Sequence, residues 1–345
     1  MTEVRFAPGE SLLVAARGTG PEHGLWCFVG GSGGWHGSQL ATVGQLSSLC
    51  RHPTLPVVYG SGSVRGVLLA WRVQGAVADP IGEAESGDDP CFIAVDPTGR
   101  LLVATNYGSS DLTLIPLAAD GSFEGPLAKL PLEGGGPDSS RQEAAHPHQA
   151  LFHDAMLFVI DLGADRIRRF SVDPGKRGGA VLAPAGEIHV PPGTGPRHGA
   201  FLPDGRLALS GELASNVVVG ALQGPAGWAG TPSTLRTGSA RTRTDRNYPG
   251  DIQRSEDGAF AYLANRGHDT IAAFDMRGAA PKLVAEIDAG AAWPQHLLVH
   301  GGHLLIAGWD SARVMAVSLG DDGFIGAAEP LFDCLGPGWL LRYSA

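Results

Sequence analysis

Short apolar runs closed by polar or glycine-containing turns follow one another along the chain, and their order repeats. From Gly195 to Gln223 the sequence reads GPRHGAF, LPDGR, LALSGE, LASN and VVVGAL, with Pro203-Asp204-Gly205 supplying turn chemistry between two strand-like runs. Tyr248 to Met276 and Trp293 to Leu319 repeat the pattern, as do Asp89 to Leu117 and His146 to Val172. Weaker copies fall at Ser47 to Val73 and at Ser11 to Val29. Repeats of roughly 40 to 50 residues with several short strands each are the signature of propeller blades. The pattern therefore predicts an all-β fold: one seven-bladed β-propeller over residues 1–345, with four-stranded antiparallel blades around a central channel. A β-sandwich of unrelated hairpins would not need the same order of lead-in, strand and turn around the whole chain. Ring closure calls for a strand from one terminus, either Val4 to Phe6 or Trp339 to Tyr343.

Composition agrees with long buried strands. Hydrophobic residues make up 43% and charged residues only 17%, against roughly 25% charged in ordinary globular chains. The 51 glycines are scattered, as many tight turns require. A net charge of −10 and the lack of any dense Lys/Arg run argue against a nucleic-acid partner. With neither a leader pattern at the N-terminus nor an apolar run approaching ~20 residues, a cytoplasmic location away from membranes is expected. Cys27, Cys50, Cys91 and Cys334 lack paired spacing and read as buried free thiols. Nothing in the pattern points to an oligomeric state.

In a meander the chain reverses at each turn, so the lead-in to the first strand and the turn after the second share one edge of the sheet. That rule gathers His146, His148, Arg197, His198 and His296 at one rim as lead-in residues. It brings Asp161, Glu212, Arg266 with His268, and Asp310 there as turn residues. Arg197 and Glu212, in one blade, can meet above the sheet. Two stretches, Leu132 to Ala145 (with Arg141) and Gly227 to Asn247, exceed ordinary connections, and loops of that length tend to carry function. Gly30 to Gly34 formally fits G-x-S-x-G but lacks the strand-to-helix setting of a nucleophile elbow. His146-x-His148 has no third ligand fixed by spacing, so no metal is expected, and no nucleotide motif indicates a cofactor.

At these residues the chain resembles the lactonase family of seven-bladed propellers, which includes bacterial phosphogluconolactonases and fungal carboxymuconate-lactonizing enzymes. The resemblance lies in GPDSSRQEAAHPHQ (Gly136 to Gln149), FVIDLGADRIRRF (Phe158 to Phe170), GPRHGAF (Gly195 to Phe201), the Glu212 turn, NYPGDI (Asn247 to Ile252), LANRGHDTIAAF (Leu263 to Phe274) and WPQH (Trp293 to His296). It implies catalysis by His148, Arg197, Glu212 and Arg266, with Asn106, Arg141, His146, Asp161, His198, His268 and His296 as candidate substrate contacts. The sequence departs from the family at Gly211, Gln295 and Gly308-Trp309, where Asn, Arg and Asn are common. The implied reaction is metal-independent hydrolysis of a small anionic sugar lactone, 6-phosphogluconolactone to 6-phosphogluconate, in the pentose phosphate route. Glu212 or His148 would activate water, while Arg197 and Arg266 hold the oxyanion or phosphate. A cycloisomerase acting on muconate-like dicarboxylates, or a propeller that only binds a ligand or protein, are the alternatives.

Overall fold

A computed structural model describes residues 9–125, 128–176, 181–224, 227–238 and 246–343. No α-helix occurs among them. The strands form seven antiparallel sheets arranged as a seven-bladed β-propeller. Each blade is a four-stranded meander except the fifth, whose outermost strand is split into Gly227–Trp228 and Ser233–Arg236, both pairing with Asn216–Gln223.

The ring closes through the C-terminus. Pro337–Tyr343 is the innermost strand of the first blade and pairs with Ser11–Ala16, followed outward by Gly24–Gly31 and Gly34–Thr42. Of the two closing segments expected, Trp339 to Tyr343 therefore serves, and Val4 to Phe6 lies outside the described residues. Ser11–Ala16 is thus a second strand, and the weak first copy begins one strand late. The Gly30 to Gly34 stretch is the hairpin between two outer strands of that blade, without nucleophile-elbow geometry.

Why the inner strands read as unbroken apolar runs follows from packing. Every residue of Phe260–Arg266 and of Leu101–Asn106 is buried, because neighbouring blades cover both faces. Outermost strands, such as Val77–Glu85, mix half-buried and exposed positions. Among the described residues, an apolar cluster fills each of the seven gaps between adjacent blades; Ala208, Val217, Leu263 and Phe274, for example, join the fifth to the sixth. Burial of this extent, at about 25 cal/mol per Å² of apolar surface, is what holds an otherwise helix-free ring together.

One irregularity recurs in all seven blades and positions the site. The pairing of the innermost strand with its neighbour slips near its start: between Pro147 and Gln149, Pro196 and Gly199, Pro249 and Ile252, Pro294 and His296, Pro90 and Phe92, and Leu46 and Ser48. In the first blade the slip separates Pro337 from Trp339. A bulge places an unpaired residue on the strand and re-aims its side chain. Proline, which has no N–H to donate, is tolerated at such a position.

Candidate active site

The bulged residues look into the mouth of the central channel. A cavity of about 300 Å³ there is lined by Ser47, Cys91, His148, Arg197, His198 and Gln295, the bulge residues of five blades, together with Trp339 of the closing strand. A second tier comes from the residue just past the second strand's pairing partner of each lead-in: Arg17, Tyr107, Glu212, Arg266 and Trp309. Arg141, from the long segment before the fourth blade, completes the charged side. That segment is pinned by buried Gln142, whose Nε2 donates to the Leu162 carbonyl at 2.9 Å and whose Oε1 accepts from the Asp138 amide at 3.2 Å.

Glu212 is the centre of the charged side. Arg141 Nη2 donates to its Oε1 at 2.7 Å, and Arg266 Nη2 donates to its Oε2 at 2.5 Å. Arg197 Nε lies 3.2 Å from the same Oε2 as an ion pair without hydrogen-bond alignment. Burial opposes the carboxylate's charge, but Arg266, Arg197 and Arg141 together outweigh it and hold Glu212 at about 2. Burial, with Arg266 alongside, pulls Arg197 down to about 9. Arg266 is further fixed by Nε donating to the Tyr248 carbonyl at 3.0 Å and Nη1 to Gln295 Oε1 at 3.2 Å, and its guanidinium lies over the Trp293 ring.

On the opposite wall Arg17 stacks on Trp309, 4.7 Å from the ring centroid. Asp89 beside it is pushed up by burial, against the pull of Arg17. His148 is pushed well below the usual imidazole range, by burial first and then by Arg197, His198 and Arg266. Its Nδ1 is buried without a partner. His198 is held down to about 4 by burial and Arg197, although its Nδ1 sits 2.8 Å from Asp251 Oδ1.

The propeller architecture has its counterpart among known families: residues 36–328 match the family described as Lactonase, 7-bladed beta-propeller. The chain belongs to that lactonase family. Relatives of the lactonase-family chain include a 6-phosphogluconolactonase of Bacillus subtilis, 33% identical over 215 residues that make up 61% of this chain and 59% of that protein. A 6-phosphogluconolactonase of Formosa agariphila is 29% identical over 66% of each chain. The matched stretch thus spans less than two thirds of these relatives' own length. Solved structures agree on the fold: a Lactobacillus plantarum protein superposes with TM-score 0.87 at 21% identity, covering 97% of this chain and 99% of its own. The periplasmic gluconolactonase of Pseudomonas aeruginosa gives 0.83 at 22% identity, with the same coverage of both chains.

Of the residues expected at the site, His148, Arg197, Glu212, Arg266, Arg141 and His198 come together on the cavity wall. Asn106, His146, Asp161, His268 and His296 are not on it. Asn106 is fully buried and bonds Asp111 and Thr113 through Nδ2. Asp161 accepts from the amides of His146 and Ala164 and pairs with Arg168. His146 stacks on Tyr107 and bonds its carbonyl, and His296 packs against Trp339 behind the wall. Asp310 is exposed. Sequence reasoning passed over Arg17, Asp89, Tyr107, Trp293 and Asp251. Among the described residues no three His, Cys, Asp or Glu side chains gather as a metal site, and no helix is long and apolar enough to cross a membrane.

Proposed function

We propose that this protein hydrolyses a phosphorylated sugar lactone, with 6-phosphogluconolactone as the leading substrate and 6-phosphogluconate as the product. The observation that carries the reading is the charge of the wall. Four arginines (Arg17, Arg141, Arg197 and Arg266) face two acids (Asp89 and Glu212), a surplus of two positive charges on a chain that is otherwise strongly negative. A low-dielectric cleft of one sign concentrates small ions of the other, and a sugar phosphate carries about two negative charges. The relatives' names, 6-phosphogluconolactonase in two cases, support the same substrate class.

Arginine suits both tasks that the reaction sets. Its planar fork binds a phosphate through paired N–H groups, and the same donors stabilise the oxyanion that forms when water attacks the lactone carbonyl. Glu212 then serves as the counter-charge that keeps three guanidinium groups together. With its oxygens engaged and its proton affinity lowered, it is a poor acceptor for a proton from water. A neutral imidazole on the wall, His148 or His198, is better suited to that step.

Purified protein should accelerate the loss of 6-phosphogluconolactone over buffer, and Arg197→Ala or Arg266→Ala should remove most of the acceleration. A muconate-type dicarboxylate is assayed beside it. Turnover of the dicarboxylate with none of the lactone would replace this reading by lactone-ring closure.

A further inference from the structure

Behind the cavity wall, a buried series of two hydrogen bonds and one ion-pair contact runs from the closing strand to the site. The Leu340 amide donates to His296 Nδ1 at 3.2 Å. An imidazole nitrogen that accepts carries no proton, so in neutral His296 the hydrogen is on Nε2, which lies 3.5 Å from Asp251 Oδ2. Asp251 also receives the amides of Ile252 and Leu297, each at 3.0 Å, and Gln253 Nε2 at 3.1 Å. Surrounded by donors and only 1% exposed, it is an ionised acceptor. His198 Nδ1, 2.8 Å from its Oδ1, must therefore be the protonated nitrogen. That leaves the His198 Nε2 lone pair as an acceptor, held by one long bond from Arg197 Nη1 at 3.4 Å that a water in the cavity must replace.

We propose that His198 is the general base of the hydrolysis and that Asp251 and His296 are the positioning residues that fix its tautomer. The inference rests on the reading of the protein as a lactone hydrolase. His198 Nε2 takes a proton from water while the water oxygen bonds to the lactone carbonyl carbon. The carbonyl electrons move onto the oxygen held by an arginine. When the tetrahedral centre collapses, the ring carbon–oxygen bond breaks and the imidazolium returns the proton to the leaving ring oxygen, so that water is the only species added. A carboxylate that orients an imidazole through Nδ1 is a recurrent way to present Nε2 as a base. His148 lacks such an orienting partner at Nδ1.

His198→Asn keeps an N–H donor near the Nδ1 position for Asp251 but removes Nε2. In protein with native circular dichroism and an unfolding midpoint near the native one, kcat should fall by about 10² or more, with KM changed less than about threefold. Asp251→Asn should lower kcat at least about tenfold in the same way. The pH profile of kcat gives a second readout. The groups facing His198 are Arg197 and, through it, Glu212; Asp251; His296; His148; and Cys91 near Arg197. The native enzyme should show an acid limb as His198 takes up a proton, and that limb should be absent from the residual activity of His198→Asn.

A third readout needs no turnover. Nitrogen NMR of protein with ¹⁵N-labelled histidine at pH 7.5 should find His198 protonated at Nδ1 and bare at Nε2. An Nε2–H tautomer for His198, or a His198→Asn variant that keeps kcat while His148→Asn loses it, overturns the proposal and leaves lactone hydrolysis standing. Native protein that turns over no lactone overturns both.

Discussion

Glu212 and Arg266 are 54 residues apart in the chain and belong to different blades, yet their carboxylate and guanidinium meet at 2.5 Å in the mouth of the channel. Both are nearly buried, and Arg266, with Arg197 and Arg141, keeps the Glu212 carboxylate ionised against the cost of burial. Removing one partner of a buried pair costs about 3 to 5 kcal/mol, because the remaining charge is left uncompensated. Glu212→Gln should accordingly lower the free energy of unfolding by about 3 kcal/mol in urea at pH 7, and an unchanged midpoint and slope would contradict the pairing.

The same carboxylate gives a pH dependence of fixed sign. Its value drops from 4.5 to about 2 on folding, so the unfolded chain binds the proton first as the medium is acidified. The stability due to Glu212 is complete above about pH 4.5 and is lost as pH falls toward 2. Urea unfolding measured between pH 5 and pH 2 should therefore show a shallower acid decline for Glu212→Gln than for the native protein.

Arg141 reaches the site from a segment outside the blades and is about a third exposed, unlike Arg197 and Arg266. Its contribution should be mainly to holding an anionic substrate. For Arg141→Ala, KM for 6-phosphogluconolactone should rise about tenfold, the equivalent of one part-solvated charge-assisted bond of about 1.4 kcal/mol, with kcat little changed. Steady-state kinetics checks this, and a fall in kcat at constant KM would assign Arg141 to the chemical step instead.

Closure of the ring is tested at Leu340, 1% exposed in the gap between the first and last blades. Leu340→Ala should cost about 3 kcal/mol in chemical denaturation. Tyr343→Phe, which removes the hydroxyl that donates to the Val73 carbonyl at 2.7 Å, should cost about 1 kcal/mol.

All four thiols are free, as expected, but only Cys27 and Cys334 are buried, Cys50 and Cys91 being half-buried; desolvation raises each above its ordinary value, Cys91 and Cys334 to about 12. A thiol reagent at pH 8 should consequently label the folded protein slowly and all four cysteines rapidly once it is unfolded. Cys91 lines the cavity and is only half-buried, so its raised value is what keeps it slow, and native labelling as fast as in the unfolded chain would contradict that value.

Repetition made most of the fold legible in the sequence. The order of strand and turn located the blades, and antiparallel reversal brought lead-in and turn residues to one rim, which is how Arg197, Glu212 and Arg266 could be placed together. What the pattern could not resolve was direction at single-residue scale. Asn106 and Asp161 pair directly with Pro90 and Pro147 and turn inward to bond their own blades. The residue one step further on, Tyr107 in the third blade as Glu212 in the fifth, faces the cavity. Arg17 escaped notice because the strand that precedes it in its blade comes from the other end of the chain. Asp251 read as one letter of NYPGDI, since only the packed structure brings His198 and His296 to its two oxygens.

The recurring bulge has a consequence for how such a pocket can change. Because each bulged residue stands outside the ladder of backbone bonds, its identity can be exchanged blade by blade while the scaffold keeps its hydrogen bonding. Two of these positions, Gly250 and Gly338, carry no side chain. A methyl group at Gly250 would come within 3.0 Å of Arg266 Nε, and one at Gly338 within 3.3 Å of Arg17 Cβ. The vacant places are therefore what give the two guanidinium arms their room, and refilling them is a direct route to a ring of the same architecture with a different appetite.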